Sequence, residues 1–276
     1  MEKARNFTRK VFKLLLKPEM RVLPGNLAFF TVITIIPLVA LVATIAATLS
    51  ISTDTISNIL NQVLPGEVGN LINSIIAGSG INFNLIVFYL SAFILASNGS
   101  YSMINVSNEI YKVEPRNIIS RRLKAIIMTF ILVGLFFFLL LIPIFGDSVS
   151  KIVEETTNGH TIMTIIHQLF MLLKYPIVLL ILFINIKLTY VIAPDQEIPE
   201  NTTNTGTIFT TIGWVLATEI FSFYIGKFAK YDLFYGSISN LLVLLLWVYL
   251  LSYIYVFGMV INASSYKREK NPEQLP

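Results

Sequence analysis

The chain is predicted to be all-α: a polytopic membrane protein of six transmembrane helices forming a single membrane domain over residues 1–276. Six long apolar stretches separated by short polar connections are the first observation behind this class. Composition is the second: 55% of residues are hydrophobic, and charged residues make up 13%, about half the ~25% usual in soluble domains. A mean hydropathy of +0.72 agrees. The stretches are also far longer than the ~10-residue strands of a membrane barrel, and backbone amides in lipid must be satisfied within the segment, so each stretch is read as a helix.

Taken in order, residues 1–20 place Phe7, Val11, Leu14 and Leu15 at helical spacing among six basic residues between Lys3 and Lys17. That pattern predicts an amphipathic helix lying on an anionic leaflet, in preference to a nucleic-acid contact. The first span, 23–50, has no charged residue between Arg21 and Asp54, which exceeds the ~20 apolar residues needed to cross a bilayer core. No short apolar core with a cleavage site precedes it, so it is expected to remain as an anchor. Residues 54–77 carry two apolar stripes broken by Pro65-Gly66 and no basic residue, which predicts an external interfacial segment. The remaining spans are placed at 83–111, 123–145, 169–193, 207–228 and 238–263.

Orientation follows from Lys and Arg counts at alternating ends. Seven precede the first span, five lie between Lys112 and Lys124, and three follow the last span. The intervening connections carry only Lys151, Lys227 and Lys230. Fifteen against three puts both termini in the cytoplasm of a multi-pass, inner-type membrane protein. The connection holding Asp195, Glu197 and Glu200 adds no basic residue to the cytoplasmic count, although Lys187 is near enough to snorkel toward it.

Polar residues inside spans are the candidate functional groups. In the second span Asn98, Ser102, Asn105, Glu109 and Lys112 recur at spacings of four, three, four and three, on one helix face. Such a stripe faces either neighbouring helices, as hydrogen-bonding glue, or a hydrated cavity opening to the cytoplasm. Glu219 lies near the middle of the fifth span, where burial would favour its neutral form. Its candidate roles are proton coupling and headgroup contact, against simple helix-to-helix hydrogen bonding. Asn240 joins these as a pathway candidate, with packing as the alternative. Arg116, Arg121, Arg122 and Lys124 are candidate contacts for phosphate headgroups. Pro37, Pro143 and Pro176 interrupt spans and are candidate hinges.

No metal or other cofactor is expected. Cysteine is absent, and His160 and His167 are the two imidazoles, both placed in a connection as exposed polar residues.

The runs Leu27-Ala28-Phe29-Phe30-Thr31 and Ile36-Pro37-Leu38, the segment from Asn105 to the paired Arg121-Arg122, and the last-span signature carry a family resemblance. That signature runs from Tyr235-Gly236-Ser237 through Leu245-Leu246-Trp247-Val248-Tyr249 to Gly258 and Asn262-Ala263. Together they resemble the YihY/BrkB family across nearly the whole chain. The resemblance implies a bacterial cytoplasmic-membrane protein linked to envelope properties and transport, with members formerly labelled ribonuclease BN. Residues 200–205, Glu-Asn-Thr-Thr-Asn-Thr, lack the basic and aromatic residues associated with relatives at that point, which speaks against a headgroup contact there.

A nuclease would need a metal-binding His/Asp cluster or an acid-base pair in a water-accessible domain, and the residues offer neither. A Walker A motif is also absent. The expected function is therefore non-enzymatic: transport of a lipid or lipid-linked envelope precursor, with membrane lipids bearing anionic headgroups as partners and no nucleic acid. A proton-coupled carrier of small solutes or ions, and a membrane scaffold, are the alternatives.

Overall fold

A computed structural model describes residues 18–48, 85–135, 161–227 and 239–270, which form six α-helices and no strand. They are α1 (Glu19–Thr48), α2 (Leu85–Tyr111), α3 (118–135), α4 (Thr161–Ile192), α5 (Glu200–Lys227) and α6 (Ser239–Lys270). Each overlaps one predicted span. By length and composition α5 and α6 are the two described helices apolar enough to cross a membrane, with a shorter apolar run at Pro176–Ile192. The amphipathic segment up to residue 17, the external segment 54–77, Pro143 and His160 lie outside the described residues.

α1, α3, α4 and α5 begin earlier than hydropathy alone predicts, and at α3 and α5 polar residues cap and start the helix. Asn117 accepts the Ser120 N–H at 2.7 Å, an N-cap that starts α3 five residues before the expected apolar run. Thr202 closes back on the Pro199 carbonyl through both its N–H and its hydroxyl, so α5 starts at Glu200. Residues 200–205 are thus the first turns of a helix, not a connection. Likewise His167 lies within α4, not in a connection. Pro37 and Pro176 sit inside continuous helices.

α2 ends in a six-residue closing turn. The Val113 N–H reaches the Asn108 carbonyl at 2.9 Å, with Lys112 in the left-handed region at φ 57°. A non-glycine residue there carries strain. Lys112 is held by Glu109 at 2.8 Å and by Glu19 of α1 at 3.3 Å.

Those pairings define the packing. Glu19 at the start of α1 meets Lys112 at the end of α2, Lys187 near the end of α4 lies 3.7 Å from Glu200 at the start of α5, and Asn201 meets Glu269 near the end of α6. The start of α3 joins the same layer through Lys124 and Asp195. The helices therefore alternate in direction. Of the described charged residues, all but Lys174, Glu219 and Lys227 gather at this one end.

Below the charged layer, α6 packs against α5, α1 and α2, while α4 packs on α5. The core where they meet contains Met20, Leu27, Val106, Ile186, Tyr190, Tyr255, Met259 and Val260. Small residues bring α5 and α6 together: a methyl group added at Gly206 would run into the Gly258 carbonyl, and one added at Gly258 into Thr210 and the Tyr190 hydroxyl. Asn262 accepts the Gly206 N–H at 2.7 Å, and the Tyr190 hydroxyl donates to the Tyr255 carbonyl at 2.7 Å while meeting Thr210 at 2.6 Å.

Candidate functional site

The polar groups of the charged end form two connected clusters around α3. In the first, Asp195 is the hub. It follows Pro194, which stops α4, and its side chain is fully buried. Asn108 clasps it twice, donating Nδ2 to the carboxylate at 2.7 Å and accepting the Asp195 N–H at 2.8 Å. The Arg116 N–H and the Lys124 ammonium complete its shell at 3.2 and 3.0 Å. Burial alone pushes this carboxyl up, but the hydrogen bonds from Asn108, Lys124 and Arg116, with the Lys124 charge, outweigh it and hold Asp195 below the usual carboxylate range. Lys124 also donates to the Ala193 and Pro194 carbonyls, so its three donors are all engaged within the protein.

The second cluster lies between α2 and α3. Arg121 donates from Nη1 to Asn105 at 2.7 Å and from Nε to the Arg116 carbonyl at 3.0 Å. Arg122 donates to Asn98 at 2.8 Å and to the Ile94 carbonyl at 2.9 Å. Tyr101 lies between, with its ring centroid 5.4 Å from one guanidinium and 5.9 Å from the other. Deeper in the same seam Ser100 and Thr129 share a 2.7 Å hydrogen bond.

The predicted stripe of α2 is thus divided. Asn98 and Asn105 face α3 and are occupied by arginines, Ser102 turns to Asn26 of α1 at 3.2 Å, and exposed Glu109 pairs with Lys112. Arg121 and Arg122, expected just before the third span, and Lys124, expected at its start, are carried on the first turns of α3 and bend back onto the bundle. Arg116 keeps its exposed side chain at the surface. Glu219 falls about two-thirds of the way along α5 on an exposed side, not buried at its middle, because α5 starts seven residues earlier than expected. Asn240 lies in the first turn of α6, at the end opposite the charged layer. Neither joins the clusters.

Asp195, Asn108 and Tyr101 were not singled out from sequence. A signal was present for Asp195, since an acid directly after the proline that ends a span has no room to move away from the bundle.

Beside α3 runs an open groove of about 600 Å³. Its wall is Ile119, Leu123, Ile127 and Ile192, and its mouth is Arg116, Asn117 and Ser120, with Lys124 behind. The groove is thus an apolar trough with Arg116 at its mouth. Among the described residues no group of three His, Asp or Glu side chains converges.

Fold and clusters together define an all-helical membrane protein whose described charged residues gather mostly at one end of its bundle. The chain belongs to the family described as virulence factor BrkB, whose model matches residues 11–276. It is 31% identical over 275 residues to the putative ribonuclease-like protein YfkH of Bacillus subtilis, covering 98% of this chain and 99% of that one. It is also similar to UPF0761 membrane proteins. Identity is 33% over 76 residues with one from Nitrosospira multiformis and 34% over 80 residues with one from Pseudomonas aeruginosa. Those matches cover 28% of this chain and 18% and 20% of the two relatives. No solved structure matches.

Proposed function

We propose that this chain is a six-span protein of the bacterial cytoplasmic membrane, with both termini in the cytoplasm, that takes up and hands on an anionic lipid or lipid-linked envelope precursor. The groove beside α3 carries this reading. It opens sideways along exposed apolar surface and ends at Arg116 in the charged layer, so an acyl chain and a headgroup are met by the right chemistry at once. The alternating helix directions, with the start of α1 and the end of α6 in one layer, support the even number of crossings. The basic excess of that layer supports its cytoplasmic placement.

In this reading the protein is not an enzyme and RNA is not its ligand. Among the described residues the one buried carboxylate, Asp195, is already held by three donors, which makes it a structural anchor and a poor general base. Scaffolding is the second reading, favoured by the exposed Glu219 among Ile220, Phe223 and Tyr224 on α5, a surface that a partner helix would cover.

Native mass spectrometry of the protein in mild detergent tests the proposal. The wild type is expected to retain phosphatidylglycerol over phosphatidylcholine, and Leu123→Trp with Arg116→Ala, which blocks the groove and removes its charge, to retain less of it. Equal retention of both lipids by wild type and variant would sink the lipid reading and leave the scaffold.

A further inference from the structure

Arg121 and Arg122 are consecutive in an α-helix, so their side chains leave it about 100° apart. Both guanidiniums nevertheless converge on the ring of Tyr101. Their acceptors are the neutral oxygens of Asn105, Arg116, Asn98 and Ile94, and among the described residues no carboxylate pairs with either. An arginine cannot shed its charge in a protein. Two fixed positive charges therefore share one ring, with no carboxylate paired to either among the described residues.

Position sharpens the point. Asn98 stands thirteen residues before Tyr111, the end of α2, which is about 20 Å along the helix axis and close to its middle. The Arg122 side chain is thus drawn inward, the reverse of the outward snorkelling expected of a cation near a helix end. Each guanidinium offers five N–H donors and makes two of the bonds above, which leaves three donors on each. The seam also borders lipid-facing surface, since Ile94, Leu95 and Phe130 are 49%, 51% and 70% exposed.

We infer that Arg121 and Arg122 form an inner binding step for a phosphate anion, carried either by a lipid headgroup or as free phosphate. Planar forks matched to phosphate oxygens are what arginine supplies and lysine does not. Asn98, Tyr101 and Asn105 are positioning residues that hold the two guanidiniums at one ring. The step rests on the lipid-handling reading and extends it, with Arg116 at the mouth and Arg122 about halfway into α2.

The test compares full-length wild type, Arg116→Ala, R121Q/R122Q and R121K/R122K by native mass spectrometry with phosphatidylglycerol and phosphatidylcholine. Wild type is expected to hold phosphatidylglycerol at two sites. R121Q/R122Q should lose one of them, with at least tenfold weaker retention, while Arg116→Ala loses the other. R121K/R122K keeps both charges but not the forks and should weaken the inner site alone, which provides the readout if the double Gln variant does not fold.

A second arm follows thermal unfolding with inorganic phosphate. Stabilisation of wild type but not of R121Q/R122Q identifies free phosphate as an occupant; no effect, with the lipid count still reduced, identifies the headgroup. Retention unchanged in both arginine double variants overturns the inner step whatever Arg116→Ala does. Loss of all phosphatidylglycerol with Arg116→Ala alone overturns the inner step and leaves the groove reading standing.

Discussion

The seam between α5 and α6 and the layer around α3 are both polar, yet they use polarity in opposite ways. At the first, glycines let two backbones approach and neutral hydroxyls and one amide fill the remaining space: Thr203, Thr207 and Thr210 are fully buried, and Asn262 and Tyr190 bond to backbone or to Thr210. At the second, the charged Asp195, Lys124, Arg121 and Arg122 are held by side chains that cross between elements. Neutral polarity at close quarters makes a static joint, since no group can be released without leaving a buried dipole unsatisfied. Charged polarity near water makes a surface that an ion can enter. The structural joint and the candidate binding face thus lie on different helices.

The largest expected effect comes from breaking the charged hub. Asp195→Ala leaves the half-buried Lys124 ammonium without its counter-charge and should cost about 3–5 kcal/mol, read as a large drop in the unfolding midpoint in detergent. The pH dependence has a definite sign. Asp195 is held below its unfolded value of ~3.9, so its contribution is complete above that value and is lost as pH falls through the lower, folded one. Acidification below pH ~4 should therefore destabilise wild type more than Asp195→Ala, as midpoints measured across pH 3–7 will show.

Gly206→Ala tests the neutral seam. Its new methyl meets the Gly258 backbone and the Asn262 side chain, which should cost about 1–3 kcal/mol and leave the pH profile parallel to wild type. A pH-dependent loss would show that the two regions are coupled after all.

Tyr190→Phe removes a hydroxyl that bonds the Tyr255 carbonyl and Thr210, and should lower stability by about 1 kcal/mol without altering lipid retention. The smallest change is expected from Glu219→Gln. Its exposed position predicts a stability shift within about 0.5 kcal/mol and unchanged lipid retention in detergent. A loss of retention there would move the binding face from α3 to α5.

Hydropathy and charge counts located all six helices, because apolar length and basic asymmetry are properties of the chain that survive any rearrangement of its neighbours. The spacing of Asn98 and Asn105 likewise placed both on the side of α2 that α3 meets. What faces each group was not legible. Asn98 and Asn105 are filled by Arg121 and Arg122 because Asn117 caps α3 early and carries both arginines onto a helix that runs back along α2. Glu219 looked central and buried because the threonine-rich start of α5 reads as loop by hydropathy, whereas capping at Pro199 and Thr202 makes it helix and shifts the carboxylate toward the far end. Asp195 became the hub only when Asn108, Arg116 and Lys124, separated by up to 87 residues, were brought around it. Composition and periodicity are local sums and so belong to the sequence, while the partner of a polar group depends on distances between elements, which only packing decides.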